Sequence, residues 1–280
     1  GTPAAPAGED QAKYSVMSYR DRAGSSTSGG YSASSYATSY MLNDIATLQY
    51  LYGANTATNS TDTVYSWASN AVVMQTIWDS GGQDTISAAS QSHASRVDLN
   101  PGAWSTIGIG YTIYADTGFV PGPPFPVRDT LTIAYGAVIE NAVGSAQADT
   151  LIGNTVANRL TGGAGADTLT GGTGADVFFF ATPTDGGDTI TDFVSGTDTI
   201  ELTSANFAGL PVGALAASRF VSGSAPVATD GSAVFLYSTA SGQLVFDPNG
   251  NAAGGTTLIA TLGNHAPVVS NDLRIVAAPA

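Results

Sequence analysis

Residues 144–179 divide into four consecutive blocks of nine: G-S-A-Q-A-D-T-L-I, G-N-T-V-A-N-R-L-T, G-G-A-G-A-D-T-L-T and G-G-T-G-A-D-V-F-F. Leu151, Leu160, Leu169 and Phe178 fall at one place in the block, and Asp149, Asn158, Asp167 and Asp176 at another. A period that short, holding both a turn and an apolar residue, leaves few folds open. Six residues turn a corner, where glycine reaches backbone angles closed to other residues and lets carbonyl oxygens converge. Three residues then make a short strand whose apolar member points inward. Two blocks complete a coil, so residues 18 apart stack at roughly the 4.8 Å spacing of paired strands. Asp149 is expected beside Asp167 on one edge and Asn158 beside Asp176 on the other. Glu140, one block earlier in phase, falls in line with Asn158.

The last two blocks carry the full G-G-x-G-x-D turn and the first two do not. Ser145 and Asn154 replace the second glycine, and Gln147 and Val156 replace the glycine at the fourth position. Sites drawing on those turns are expected to be weak or empty. Only 11% of residues are charged, yet the formal net charge is −14, Lys13 is the sole lysine, and 19 of the 22 acids are aspartates. Short carboxylates beside glycines suit a hard cation such as calcium, which takes oxygen ligands. The acidic balance argues against nucleic acid and anionic membrane surfaces as partners. With no cysteine, neither disulfides nor cysteine zinc sites are possible, and bound metal is the expected substitute source of stability. No apolar run approaches the roughly 18 residues that span a bilayer, so no membrane insertion is expected. The nonapeptide resembles the calcium-binding repeat of RTX proteins. That resemblance implies a calcium role for Asp149, Asn158, Gly163, Gly165, Asp167, Gly172, Gly174 and Asp176.

Around the repeat, residues 1–13 are rich in Pro, Ala and Gly, and 21–38 are small and polar. No signal-peptide pattern opens the chain, and its start at Gly-Thr-Pro rather than Met points to processing or an excised fragment. Leu42, Ile45, Leu48, Leu51 and Tyr52 recur at helical spacing, with Gly53 as a stop. From Thr63 onward short runs such as T-V-Y-S-W, M-Q-T-I-W, V-F-F-F, A-V-F-L-Y and Q-L-V-F alternate with Gly, Asp and Asn and read as strands with turns. The segment 108–130, with V-P-G-P-P-F-P-V, is proline-rich and is not expected inside a sheet. The fold class expected is mostly β: a parallel β-roll flanked by β-strands or a β-sandwich, with one N-terminal helix.

From about Tyr14 to the C-terminus the chain resembles the serralysin family of secreted zinc metalloproteases. Y-S-V-M-S-Y (14–19) is similar to the metzincin Met-turn, and N-D-I-A-T-L-Q-Y-L-Y-G-A-N (43–55) to the helix leaving the protease domain. D-T-V-Y (62–65), I-W-D-S-G-G-Q-D-T-I (77–86), V-D-L-N-P-G-A-W-S (97–105) and A-V-I-E-N-A-V-G (137–144) resemble the strands and calcium turns leading into the roll. D-T-I-T-D-F-V-S-G-T-D-T-I-E-L (188–202) resembles the turn that closes it. L-V-F-D-P-N-G and the ending L-R-I-V resemble the last strands and the uncleaved signal of proteins exported by type I secretion. The resemblance implies calcium contacts at Asp62, Asp79, Gly81, Gly82, Asp84 and Glu140, with Asp188 and Asp198 also in calcium roles, and Tyr19 as a remnant zinc ligand. It divides the chain into a protease-domain remnant (1–56) and a calcium-binding domain with an export signal (57–280). Residues 271–280 are expected to serve export and not calcium binding. The insertion at 108–130 departs from compact family members.

The catalytic motif H-E-x-x-H-x-x-G-x-x-H is missing. His93 and His265 are the only histidines, neither has a partner at i+4, and neither belongs to an H-E pair, so these residues cannot assemble a metzincin zinc site. His93 reads as a surface loop residue and His265 as a turn. The expectation is a calcium-binding C-terminal portion of an extracellular zinc metallopeptidase, folding on calcium after type I secretion. Zinc enters only if an upstream catalytic helix is present. Its partners are then the N-terminal protease fragment and the secretion apparatus. The alternative is a non-catalytic adhesin, surface-layer or filament subunit on the same scaffold, self-assembling outside the cell.

Overall fold

The computed structural model describes residues 14–15, 37, 39–69, 71–108, 111–116 and 121–278, without the side chains of 111–116 and 121–127. Met17 and Tyr19 lie outside the described residues. After a helix over Leu42–Tyr52, the chain winds into two sheets joined by turns. The first sheet stacks Val64–Ser66, Thr85–Ser87, Asn141–Val143, Arg159–Thr161, Val177–Phe180, Thr199–Thr203 and Leu273–Val276 in parallel, with Gly213–Ala214 antiparallel at the end. The second stacks Arg96–Asp98, Thr150–Ile152, Thr168–Thr170, Asp188–Ile190 and Thr257–Leu262 in parallel. It continues through Gln243–Asp247, Val234–Ser238 and Phe220–Gly223. The four blocks thus lie inside a longer coil, and the flanking strands extend the stack as well as closing it.

Register follows the repeat. Val97, Leu151, Leu169 and Ile190 align in one sheet, and Ile86, Ala142, Leu160, Phe178 and Ile200 in the other. All nine are fully buried, because the residue at this register position of each short strand turns inward between the sheets. Each large apolar side chain buried this way stabilises the fold by roughly 1.5–3 kcal/mol. At the C-terminal end Phe207, Phe235 and Phe246 close the core, with ring centroids 4.9–6.0 Å apart.

One expectation needs correction. The proline-rich segment does enter a sheet: Tyr111–Asp116 and Pro121–Val127 form a two-stranded antiparallel hairpin separate from the roll. In a pair of strands both are edges, so a proline lacking N–H can sit where no ladder bond is required. The ending L-R-I-V is a strand, as its resemblance to the family's last strands implies. Leu273–Val276 pairs along Thr199–Thr203, with Leu273 and Ile275 buried, so an export role would have to share this segment with the core. The helix meets its expected bounds, but only Leu42 of its stripe is buried, while Leu48, Leu51 and Tyr52 are exposed.

Candidate metal centre

The turns entering the two sheets stack into two edges, and each edge carries a ladder of acidic residues. On the edge entering the second sheet, Ser95 N–H donates to Asp149 Oδ1 at 2.5 Å, Asp149 N–H to Asp167 Oδ1 at 2.7 Å, and Asp167 N–H to Asp188 Oδ1 at 2.9 Å. On the edge entering the first sheet, Thr63 N–H donates to Asp84 Oδ1 and Asp84 N–H to Glu140 Oε2, both at 2.8 Å. Asn158 N–H then donates to Asp176 Oδ1 at 2.9 Å, and Asp176 N–H to Asp198 Oδ1 at 3.0 Å. Each carboxylate reaches back one coil and spends one oxygen on the backbone there. The structure therefore brings together Asp149, Asp167 and Asp188 on one edge, and Asp84, Glu140, Asn158, Asp176 and Asp198 on the other. Asp62 is exposed and accepts from Gln83 N–H at 2.9 Å. Asp79 is buried and satisfied by Tyr65 Oη at 2.6 Å and Gly81 N–H at 2.9 Å. Burial of the Tyr65 hydroxyl, and then the neighbouring Asp79 carboxylate, raise it well above the ordinary phenol range.

The second oxygens are the informative ones. Oδ2 of Asp84, Asp167 and Asp188 is buried without any hydrogen-bond partner among the described residues. Among the described residues the ion pairs are Arg96–Asp98, Arg159–Glu201 and Arg274–Glu201, none of them on a ladder. A buried anion without a counter-charge is costly, and it takes up a proton instead. Burial, with repulsion from Asp167 and Asp185, pushes Asp188 up to about 8. Burial, with repulsion from Asp149 and Asp185, pushes Asp167 up to about 6. Burial, with repulsion from Asp79 and Glu140, likewise pushes Asp84 up to about 6 against the pull of Thr63 N–H. Asp176 and Asp198 are also raised, chiefly by burial.

Backbone oxygens supply what the side chains lack. Gly163 and Gly165 hold φ of +94° and +125°, and a Cβ on them would fall 2.1 Å from Ser145 O and 2.7 Å from Gln147 O. On the other edge, a Cβ on Gly172 or Gly174 would fall 2.3 Å from Asn154 O or 2.6 Å from Val156 O. The glycines thus keep a cradle between stacked turns that is lined with carbonyl oxygen. Among the described residues no three acidic or histidine side chains converge on one point. Ligation would therefore combine carboxylates with carbonyls, a donor set that fits calcium and not zinc. Gly82 is similarly closed in: a Cβ there would fall 2.6 Å from Thr61 C in the turn that carries Asp62.

Other residues at these edges escape the nonapeptide pattern. Asp192 accepts from Gly171 N–H and Gly172 N–H, both at 2.8 Å, and so anchors the last complete turn. Asp272 does the same for the closing turn, accepting from Ser195 Oγ and Gly196 N–H. Their signal in the sequence is only an aspartate beside a turn, because they reach across 21 and 76 residues. His93 and His265 are exposed, and His265 has a φ of +51°, as a turn residue would.

Stacked turns, parallel short strands and buried acidic ladders define a β-roll module. A family model for the C-terminal region of the peptidase M10 serralysins matches residues 43–117 and 125–267, and the chain belongs to that family. Inside its span the match breaks only at 118–124, a narrower departure than the whole insertion. Metalloprotease AprA of Pseudomonas entomophila is 40% identical over 224 residues, covering 69% of this chain and 42% of that protein. Serralysin B of Dickeya chrysanthemi is 34% identical over 155 residues, covering 51% of this chain and 28% of that protein. The chain thus spans well under half the length of these relatives. The AlgE6R3 subunit of the Azotobacter vinelandii mannuronan C5-epimerase aligns over 81% of this chain and 84% of its own, at 17% identity and a TM-score of 0.25. That overlap is too loose to bear on fold or function.

Proposed function

We propose that this chain is the calcium-binding C-terminal module of a secreted zinc metallopeptidase, and that calcium outside the cell drives its folding after type I export. The observation that carries this is the set of buried Oδ2 atoms on Asp84, Asp167 and Asp188, which among the described residues have no hydrogen-bond partner and no ion pair. Asp167 and Asp188 would hold an ion on one edge, and Asp176 and Asp198 on the other, with the turn carbonyls completing each shell. Asp84, Asp79 and Glu140, with Asp62 and the Gly81–Gly82 turn, form the third candidate position. Bound there, calcium would supply the positive charge that lets these groups stay buried and ionised. Asn158 has both amide atoms engaged by protein partners and is left out of this set.

Family membership supports the peptidase as the parent, but the chemistry belongs to a longer polypeptide. This sequence has no H-E-x-x-H element. Residues 1–56 are the protease-side segment on this reading, including Tyr19 as a zinc ligand, and 57–280 the calcium domain. The upstream protease part and the secretion apparatus are the proposed partners. Equilibrium dialysis against calcium is the direct test: the 280-residue chain retains calcium, and Asp167→Ala or Asp176→Ala weakens retention by roughly 1–3 kcal/mol per lost charged contact. No retained calcium would refute the reading. The same material should leave casein uncut with or without zinc, and chelator-sensitive cleavage by homogeneous chain would contradict the placement of the active site upstream.

A further inference from the structure

The first coil of the repeat handles its carbonyls and carboxylates differently from the second. Asn154 and Asn158, 5% and 2% exposed, stand where complete blocks have Gly and Asp. Asn154 donates its amide N–H groups to Ile139 O at 2.9 Å and Leu99 O at 3.2 Å. Asn158 donates to Glu140 O at 3.0 Å and to Asn154 Oδ1 at 3.2 Å, and its own Oδ1 accepts from Asn154 N–H at 2.7 Å. Asn100, held by Asp98, adds an amide N–H to Gly153 O at 2.9 Å. Carbonyls of Leu99, Ile139, Glu140 and Gly153, from three separate stretches of chain, are thereby joined by side-chain amides. On the opposite edge Asp149 is filled from three sides, by Ser95 N–H, Ser145 N–H and Ser145 Oγ–H.

A cation between turns would do two things: bring positive charge to clustered oxygens and tie one turn to the next. Amide and hydroxyl hydrogens here do both, with partial charges that need no ion and leave those oxygens occupied. The contrast is with Asp167 and Asp188, whose Oδ2 atoms have no donor among the described residues. The strands of all four blocks share one register. The turns differ in both chemistry and backbone, since Gly163, Gly165, Gly172 and Gly174 take positive φ and Ser145, Gln147, Asn154 and Val156 do not. We infer that Asn100, Asn154, Asn158, Ser95 and Ser145 form a built-in substitute for calcium. The coil 144–161 stands without the ion and is the template on which the glycine-rich turns 162–198 stack when calcium arrives. This rests on the calcium reading above.

Hydrogen exchange by mass spectrometry on the whole chain, in calcium and in excess chelator, tests it. Peptides over 150–161 should change protection by less than about threefold, while peptides over 168–190 lose more than about tenfold in chelator. Equal losses in both stretches would overturn the inference while leaving calcium binding intact. No change anywhere, with no calcium retained on dialysis, would overturn it through the calcium reading on which it rests. A second arm restores the complete turn with Asn154→Gly, Val156→Gly and Asn158→Asp together. This variant should retain about one more calcium per chain than the parent, and its 150–161 protection should become calcium-dependent. Unchanged stoichiometry with 150–161 still protected in chelator would count against the substitution of amides for the ion, and the parent chain decides the matter if the variant does not fold.

Discussion

Blocks 144–161 and 162–179 share a strand register and an inward apolar residue, yet their turns differ, with positive φ only at the glycines of the second pair, and they leave their polar groups in opposite states. In the first pair, side chains of Ser145, Asn154 and Asn158 close the hydrogen bonds of the turn from within. In the second pair Gly163, Gly172 and Asp176 occupy the corresponding places, the cradle stays open, and Asp167 keeps a buried oxygen with no partner among the described residues. Glycine therefore contributes more than backbone freedom. By removing the side chain that could satisfy the turn, it hands that task to a ligand.

The largest expected effect strains a glycine turn. Gly163→Ala places a methyl where Ser145 O lies 2.1 Å away, at a φ of +94°, and should cost more than about 2 kcal/mol, given roughly 1–3 for backbone strain alone. Ser145→Ala, at the matching place in the other half, removes only side-chain hydrogen bonds and should cost about 1 kcal/mol. Urea denaturation in calcium compares the two, and similar costs would erase the distinction between the halves.

Next in size is a change of sign. Asp188→Asn removes a buried carboxylate that has no counter-charge, so in excess chelator it should stabilise the chain, whereas in calcium it should destabilise it by roughly 1–3 kcal/mol. Asp149→Asn, in the self-satisfied half, should destabilise under both conditions by about 1 kcal/mol, since its acceptors are used by protein donors either way. Asp188→Asn that destabilises in chelator would contradict the account of the open half.

The pH dependence sharpens the same contrast. Asp188 is pushed up to about 8 in the folded chain, above an unfolded value of roughly 3.9. Between those values the folded, calcium-free chain holds a proton that the unfolded chain has lost. The stability this confers is complete below about pH 4 and is lost as pH rises through about 8. Asp84 and Asp167, each pushed up to about 6, lose theirs between about pH 4 and 6. Melting temperature in chelator should therefore fall from pH 4 to 8, while calcium affinity rises over the same range because the ligands must ionise. A chelated melting temperature that climbs with pH would remove the buried-carboxylate argument. The smallest effect is the control: Asp230 is fully exposed and off both ladders, and Asp230→Ala should leave the calcium midpoint where it is.

Much of this was legible from the period of nine. It places Leu151 against Leu169 and Asn158 against Asp176 because a repeat length is itself a statement of register. The strands of the flanks were legible as β-rich runs, but not their order, since Leu273–Val276 joins Thr199–Thr203 over a separation that no local pattern encodes. The proline hairpin departs from the expectation because the bar on proline concerns sheet interiors, and both strands of a two-stranded pair are edges. Asn154 looked like a defect in a calcium turn. Its partners Leu99 O and Ile139 O lie 55 and 15 residues away, so only the folded coil shows that it joins three segments.

Calcium titration of the chelated chain, followed by far-ultraviolet circular dichroism with magnesium as the comparison ion, tests the central claim most directly. The account predicts an incomplete β signal in chelator that rises to saturation with calcium. Magnesium should not reproduce the rise, because its small octahedral shell suits a cradle of carbonyls and carboxylates poorly. A chain with its full β signal in excess chelator, unchanged by calcium, would contradict it.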